Sequence, residues 1–230
     1  MKKTCKAFIF AREGSKGLPN KNVLPLEGIS LIERSIKISN SISEIDQTFL
    51  STDIGGLEYL KENYNLEIIN RPKSLTTDKS PEWLSWQHAI QYVFEKYGEF
   101  DSFLSLPPTA PLRSKEDIQR TIKALSKDVD VVVTFSEAKR SPWFNMIMKN
   151  DKGEISLVSQ ESKFFRRQDT PKCFDMATVA YAARPEFVLR SQNLWEGKVS
   201  GVQIPTERAI DIDNELDFKI ASFLLRERGI

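Results

Sequence analysis

The stretch Cys5 to Asn22, CKAFIFAREGSKGLPNKN, decides the fold. Its first half, Cys5 to Ala11, is a short and mostly apolar run with Phe8, Ile9 and Phe10 in succession, the pattern of a parallel strand buried on both faces. The second half turns polar at once, and Arg12, Gly14, Ser15, Lys16, Gly17, Pro19, Lys21 and Asn22 bring cations and glycines together where the strand ends. Glycines let a backbone approach an anion, lysine and arginine neutralise it, and Ser15 and Asn22 can hydrogen-bond it. The order is not a Walker A loop, because Pro19 and Asn20 stand where glycine and lysine are required, and it is not the GxGxxG fingerprint. The alternative is a basic surface turn with no ligand, in which the crowded cations repel one another without a partner.

Outward from this stretch the chain alternates between two periods. Ser30 to Ile42 has helical spacing, with Ser30 able to cap it, and Gln47 to Thr52 reads as a strand. A polar, helix-like stretch from Gly56 to Asn63 leads into a short strand, Leu66 to Asn70, stopped by Arg71 and Pro72. Pro81 to Tyr97 is a long amphipathic helix, and Ser102 to Leu106 is a strand ending in the rigid turn PPTAPLR. Ser114 to Ser126 is a helix with Ser114 at its cap, and Asp130 to Phe135 is a valine-rich strand. This rhythm predicts an α/β fold, a doubly wound and mostly parallel sheet with helices on both faces, whose ligands bind beyond the carboxyl ends of the strands. After Pro142 the rhythm changes: Trp143 to Lys149 and Glu154 to Ser159 flank NDKG, which predicts a small antiparallel β-hairpin inserted in the sheet domain. Val199 to Ile204 and Val179 to Ala183 read as returning strands, and Leu216 to Arg228 as a closing helix, so residues 1–230 are expected to form one domain.

Composition narrows the chemistry. With 33 basic and 32 acidic residues the chain has no field for gripping a nucleic acid backbone, and no apolar run reaches the length that crosses a membrane. The opening MKKTCKAFIF resembles a signal peptide but runs straight into Arg12, Glu13 and Lys16 with no cleavage pattern, so a cytoplasmic protein is expected. Cys5 and Cys173 lie far apart without metal-ligand spacing and are expected as free thiols. The single histidine, His88, sits in a helical pattern and is expected to be structural. The chemistry must then rest on lysines, arginines, carboxylates and metal ions.

Asp211 and Asp213, in AIDIDNELD, supply such carboxylates. In an extended segment both would face the same side and could hold one hard cation, for which Mg2+ is suited. The other reading makes Asp213 a helix cap before Glu215, Leu216 and Asp217 and leaves Asp211 solvated.

The loop, together with Ser51, Thr52 and Asp53, Arg71 and Pro72, Pro108, Thr109, Pro111, Leu112 and Arg113, and IDIDNELD, resembles the signature of the CMP-sialic acid synthetases, the acylneuraminate cytidylyltransferases. The resemblance implies that CTP is the nucleotide, bound by the loop from Ala11 through Arg12, Gly14, Ser15, Lys16 and Lys21, with Asn22 and Arg71 helping to recognise it. It implies that Asp211 and Asp213 bind the metal, and that Arg12, Lys16 and Lys21 stabilise the charge that develops as pyrophosphate leaves. It also implies a homodimer built through the region around residues 142–171. For the second substrate, an acidic 2-keto sugar, the matching positions are Arg167, Gln168, Phe174 and Tyr181; Arg167 is alternatively a surface residue, and Phe174 and Tyr181 packing residues. Pro107, Phe144, and Ala177 with Thr178, stand where sialic acid enzymes carry glutamine, lysine and Asn-Gly. The segments SPWFN and RRQDTPKCFDM are closer to the branch that activates legionaminic acid. The expected activity is therefore transfer of CMP from CTP to a nine-carbon 2-keto sugar acid. Another acidic sugar of the pseudaminic or octulosonic type, or an inactive nucleotide-binding regulator, are the alternatives.

Overall fold

A computed structural model of the chain describes residues 3–14, 17–160 and 164–229. The run that opens the sequence is strand β1 (Cys5–Ala11), and its side chains alternate as a pleated strand requires. Cys5, Ala7, Ile9 and Ala11 face one apolar layer with Ile32 and Ile36, while Phe8 and Phe10 face a second with Trp83 and Trp86. Phe8 stacks at 5.2 Å on Phe49 and at 4.8 Å on Phe103, so one strand nucleates contact between both neighbours in the sheet.

A two-stranded hairpin, β2 (Pro25–Leu26) and β3 (Ile29–Ser30), leads into helix α1 (Leu31–Asn40), whose cap is the expected Ser30, its hydroxyl accepting from the Glu33 amide at 3.2 Å. Strand β4 (Gln47–Thr52) follows, and the polar stretch after it shrinks to one helical turn, α2 (Leu60–Asn63), because only Leu57 and Leu60 there are buried. Then come β5 (Leu66–Asn70), α3 (Glu82–Tyr97), β6 (Ser102–Ser105), α4 (Lys115–Ala124) and β7 (Val131–Glu137). Ser114 caps α4 as expected, and it forms a capping box with Asp117, the two exchanging hydrogen bonds.

The small hairpin β8 (Ile147–Lys149) and β9 (Ile155–Leu157) is shorter than its hydrophobic pattern suggests. Residues 143–146 instead fold back, because the Ser141 carbonyl accepts from the amides of Phe144, Asn145 and Met146, and the Asn145 side chain accepts from the Ser141 amide. Strand β10 (Phe174–Ala183) begins well before Val179, and β11 (Val199–Gln203) and α6 (Glu215–Glu227) complete the chain, with the short helix α5 (Pro185–Arg190) between the last strands.

The seven-stranded sheet runs β11-β7-β10-β6-β1-β4-β5, parallel throughout except for β10, which is antiparallel to both of its neighbours. The α/β architecture with a mostly parallel sheet and a small hairpin is thus the expected one. A third apolar cluster, in which Leu26, Leu31, Leu112 and Ile212 meet Ala221 and Leu225 of α6, clamps the segment before α6 onto the end of the sheet. Among the described residues no helix is long and apolar enough to cross a membrane.

Candidate active site

The chain leaves β1 toward β4 and β5 on one side, then returns to place β6 on the other side of β1. The carboxyl ends of β1 and β6 therefore flank a topological switch point, where doubly wound sheets bind ligands. A cavity of about 450 Å³ opens there, floored by Phe10 and Arg71 and walled by the loop after β1, the start of α3 and the turn after β6.

Three cations of known position converge on it. Lys21 reaches across to the far end of the chain, its Nζ donating to the Ile212 carbonyl at 2.8 Å and to Asp213 Oδ1 at 3.0 Å. Arg12 pairs with Asp78 at 2.7 Å and donates to the Thr76 carbonyl at 3.1 Å. Arg71 is buried, with Nε and one terminal nitrogen spent on Ser51 and its guanidinium 5.5 Å from the Phe10 ring centre. Burial pushes its pKa down to about 10 against the pull of Asp53 and Glu82. Asn22 is buried beneath the loop; its amide donates to the Arg12 carbonyl at 3.2 Å and its own carbonyl accepts from Ile32, tying the loop to α1. The Ala11 methyl belongs to the core, so only its backbone faces the loop, and Gly14, with φ of 81°, lines a much smaller pocket beside Asn22. Gly17 lies against Asp213 so closely that a side chain there would collide with the Asp213 carbonyl oxygen. Ser15 and Lys16 lie outside the described residues.

The two aspartates both line the cavity while Ile212 between them is fully buried on the opposite side, the alternation expected of an extended segment. The Ile212 amide donates to the Thr109 carbonyl at 2.8 Å, so the segment is sewn to the turn after β6. The capping alternative for Asp213 is corrected: the cap of α6 is Asn214, whose side chain accepts from Leu216 and Asp217, while Asp213 donates its amide to Asp217 and directs its carboxylate to Lys21. Asp211 Oδ1 is buried without a hydrogen-bond partner. Among the described residues no cluster of three or more acidic, His or Cys side chains is arranged to hold a metal. Two carboxylates nevertheless match the needs of Mg2+, which keeps waters and takes phosphate oxygens for its remaining positions.

The four residues matched to the sugar acid do not come together in one chain. Tyr181 lines the cavity just described, buried against Trp86, and its pKa is pushed up to about 12 by burial and by the charges of Glu82 and Asp211. Arg167, Gln168 and Phe174 line a second cavity of about 530 Å³ beside the hairpin, where Arg167 donates to the Ala138 carbonyl at 3.0 Å and Phe174 packs edge-on to Phe135. Phe174 and Thr178, which border the two cavities, are four residues apart on β10, roughly 13 Å along an extended strand.

Sequence reasoning missed Glu82 and Asp78 as cavity residues, whereas Thr178, singled out with Ala177, does line the cavity. Glu82 and Asp78 sit in the polar stretch after β5, which carries no motif spacing; only the rule that ligands gather beyond strand ends could have drawn attention to them. Glu82 is exposed by surface area but lines the cavity, where desolvation raises its pKa against the pull of Trp86 Nε1 and Arg71. Arg113 is buried behind the turn, donating to the Ala110 and Pro107 carbonyls, and burial pushes its pKa down to about 9, opposed first by Asp211. His88, on α3, has its pKa lowered by burial and its buried Nδ1 lacks a partner, and it does not line the cavity.

The family model described as cytidylyltransferase matches residues 7–216. The chain is 32% identical over 226 residues to the post-translational flagellin modification protein B of Campylobacter coli, covering 96% of this chain and 95% of that one. It is 31% identical over 227 residues to the CMP-N,N'-diacetyllegionaminic acid synthase of Campylobacter jejuni, with the same coverage of each. In fold it resembles a CMP:2-keto-3-deoxy-manno-octonic acid synthetase solved with CTP, at a TM-score of 0.71 and 13% identity over 98% of this chain and 99% of that one.

Proposed function

Because the chain belongs to the cytidylyltransferase family, we propose that it transfers CMP from CTP to a nine-carbon 2-keto sugar acid of the legionaminic or sialic type and releases pyrophosphate. The observation that carries the reading is the Lys21 bridge: a cation from the loop after the first strand meets the backbone and carboxylate of the Asp211–Asp213 segment at the mouth of one cavity. A triphosphate needs that combination of cations and a hard-metal carboxylate pair on facing walls. The choice of sugar acid is supported by the relatives, one of which is named as a CMP-N,N'-diacetyllegionaminic acid synthase.

In the reaction the anomeric hydroxyl of the sugar acid attacks the α-phosphorus in line. The bond to the pyrophosphate oxygen breaks, and the hydroxyl proton leaves to a phosphate oxygen or water. Arg12 and Lys21, with Lys16 of the same loop, stabilise the negative charge that spreads over the phosphates. For each cation to do so it exchanges its resting carboxylate, Asp78 or Asp213, for phosphate oxygens. Asp211 and Asp213 would hold Mg2+, and the unpartnered, buried Asp211 oxygen is the observation that favours it. When bound, the ion supplies charge neutralisation on the triphosphate.

We assign the hairpin β8 and β9, with Phe165 and Met176, to a homodimer interface, because Ile147, Ile155, Phe165 and Met176 are more than half exposed in the single chain. Phe174 and Thr178 stand roughly 13 Å apart along β10, and Arg167, Gln168 and Phe174 would serve a sugar acid lying beside Tyr181 of a second copy across that interface. Free thiols at Cys5 and Cys173 suit a reducing, cytoplasmic setting.

The test is incubation of purified protein with CTP, Mg2+ and a panel of legionaminic, sialic, pseudaminic and octulosonic acids, with pyrophosphate release and product mass as readouts. A CMP-linked nonulosonate is the expected product. No pyrophosphate from any acid would sink the reading, and CTP binding without turnover would favour a regulator in its place.

A further inference from the structure

We propose that Glu82 is the residue that reads the base, accepting a hydrogen bond from the exocyclic amine of cytosine while Arg71 donates to the neighbouring ring nitrogen and carbonyl. The inference rests on the CTP reading above and adds to it a residue that decides between CTP and UTP.

Four carboxylates line the cavity, and three have other employment. Asp78 is paired with Arg12, Asp213 with Lys21, and Asp211 belongs to the candidate metal pair. Glu82 is the remaining one, and among the described residues it forms no ion pair. One of its oxygens accepts from Trp86 Nε1 at 3.2 Å, a contact that fixes the side chain in the first turn of α3 and leaves the other oxygen for a ligand. Arg71 lines the same cavity, and among the described residues no hydrogen bond or ion pair joins it to Glu82. Ser51 takes up Nε and one terminal nitrogen of Arg71, and the Phe10 ring lies against the guanidinium, so the group is held in place with one terminal nitrogen unspent.

A carboxylate and a guanidinium, side by side and separated, offer acceptor then donor. Cytosine presents the complement, an amine donor beside two acceptors, N3 and O2. Uracil replaces the amine with a carbonyl and N3 with N–H, which would face the carboxylate oxygen with an acceptor and the guanidinium with a donor. Discrimination of this kind, in which the wrong ligand leaves polar groups mismatched, is stronger than discrimination by shape. Lys21 and the aspartates are suited to phosphates and a metal, which leaves Arg71 and Glu82 of the cavity lining for the base.

The experiment is calorimetry with CTP, UTP and N4,N4-dimethyl-CTP, in Mg2+ and without sugar acid, on the wild type, Glu82→Gln and Glu82→Ala. Glu82→Gln keeps an acceptor for Trp86 and so preserves the helix start. The wild type is expected to prefer CTP, and to bind the dimethyl analogue about as weakly as UTP. Both variants are expected to lose at least about tenfold of the CTP over UTP preference, the size of a lost charged hydrogen bond. An unchanged preference, or equal weakening of both nucleotides, would overturn the assignment of Glu82 and leave the CTP reading standing. If the wild type bound none of the three nucleotides, the CTP reading itself would fall.

Discussion

The two cavities are held in different ways. Around the first, each cation of known position is tied by contacts distant in sequence: Lys21 to Ile212 and Asp213, Arg12 to Asp78, Arg71 to Ser51. Around the second, most ties are short in range or made to backbone, Arg166 to Asp169, Thr170 to Arg167 and Arg167 to Ala138, with Ser141 to Thr170 the long-range side-chain exception and aromatic side chains exposed nearby. The first is a scaffold that presents charges in fixed positions, as transition-state stabilisation requires. The second can change without unpicking the sheet, which suits a surface that selects a partner subunit or a sugar.

The largest break in this contrast is expected from Asp211→Ala. If the aspartate serves the chemistry, turnover should fall by about a thousandfold or more, the scale of losing a principal electrostatic group, while circular dichroism and the melting transition stay close to those of the parent. Arg167→Ala, in the second cavity, should raise the sugar-acid KM and leave CTP affinity unchanged. Full activity in Asp211→Ala would return the pair to a structural role.

The next effect concerns the frame behind the aspartates. Asp117 is fully buried and receives both nitrogens of the Arg208 fork at 2.7 and 2.9 Å, which pins the segment leading to Asp211 against α4. Asp117→Ala should cost about 3 kcal/mol in urea unfolding, since it leaves Arg208 without its partner and removes half of a capping box. The same pair predicts acid sensitivity. Burial opposes the Asp117 charge, but the hydrogen bonds from Arg208 and the Ser114 backbone outweigh it and the pKa lies below its ordinary value of 3.8. A carboxylate lowered in the folded state contributes fully above its unfolded pKa, and the contribution is lost as pH falls through the folded one. The parent should therefore lose stability below about pH 4, and the variant should lose less over that window.

Lys21→Ala should have a smaller effect, weakening CTP about tenfold to a hundredfold by calorimetry with little change in melting, because the Asp213 carboxylate is exposed enough to be rehydrated. Equal affinity would remove Lys21 from the nucleotide site.

How much of this was legible follows from the range of the contacts. The β1 run and the loop after it were readable because a buried strand and a glycine-cation turn are local patterns, and the Asp211–Asp213 pair because strand alternation puts both carboxylates on one side. Ser30 and Ser114 announced their helices for the same reason. Glu82 was not legible: nothing in SPEWLSW distinguishes a cavity carboxylate from an ordinary first-turn glutamate, and only the sheet order brings it opposite Arg71. Nor was the separation of Phe174 from Tyr181, which depends on β10 beginning at Phe174 and passing from one cavity to the other. The alternative reading of Asp213 as a cap misses by one residue, since Asn214 competes for the same helix end with a side chain that reaches two amides.

The smallest predicted effect belongs to the hairpin. Ile155 is 64% exposed and pairs through the two-stranded ladder with Lys149, so its side chain contributes nothing measurable to the core of a single chain. Ile155→Asp should weaken a homodimer by about tenfold, the loss of roughly 1.4 kcal/mol of apolar contact and added repulsion between copies, with the melting of dilute monomer unchanged. Analytical ultracentrifugation across a concentration series reads it directly. If the variant's dissociation curve overlays that of the parent, the hairpin is not the interface. In that case Arg167 and Gln168 lose the proposed route to the first cavity across the interface, since within their own chain Phe174 and Thr178 stand roughly 13 Å apart along β10.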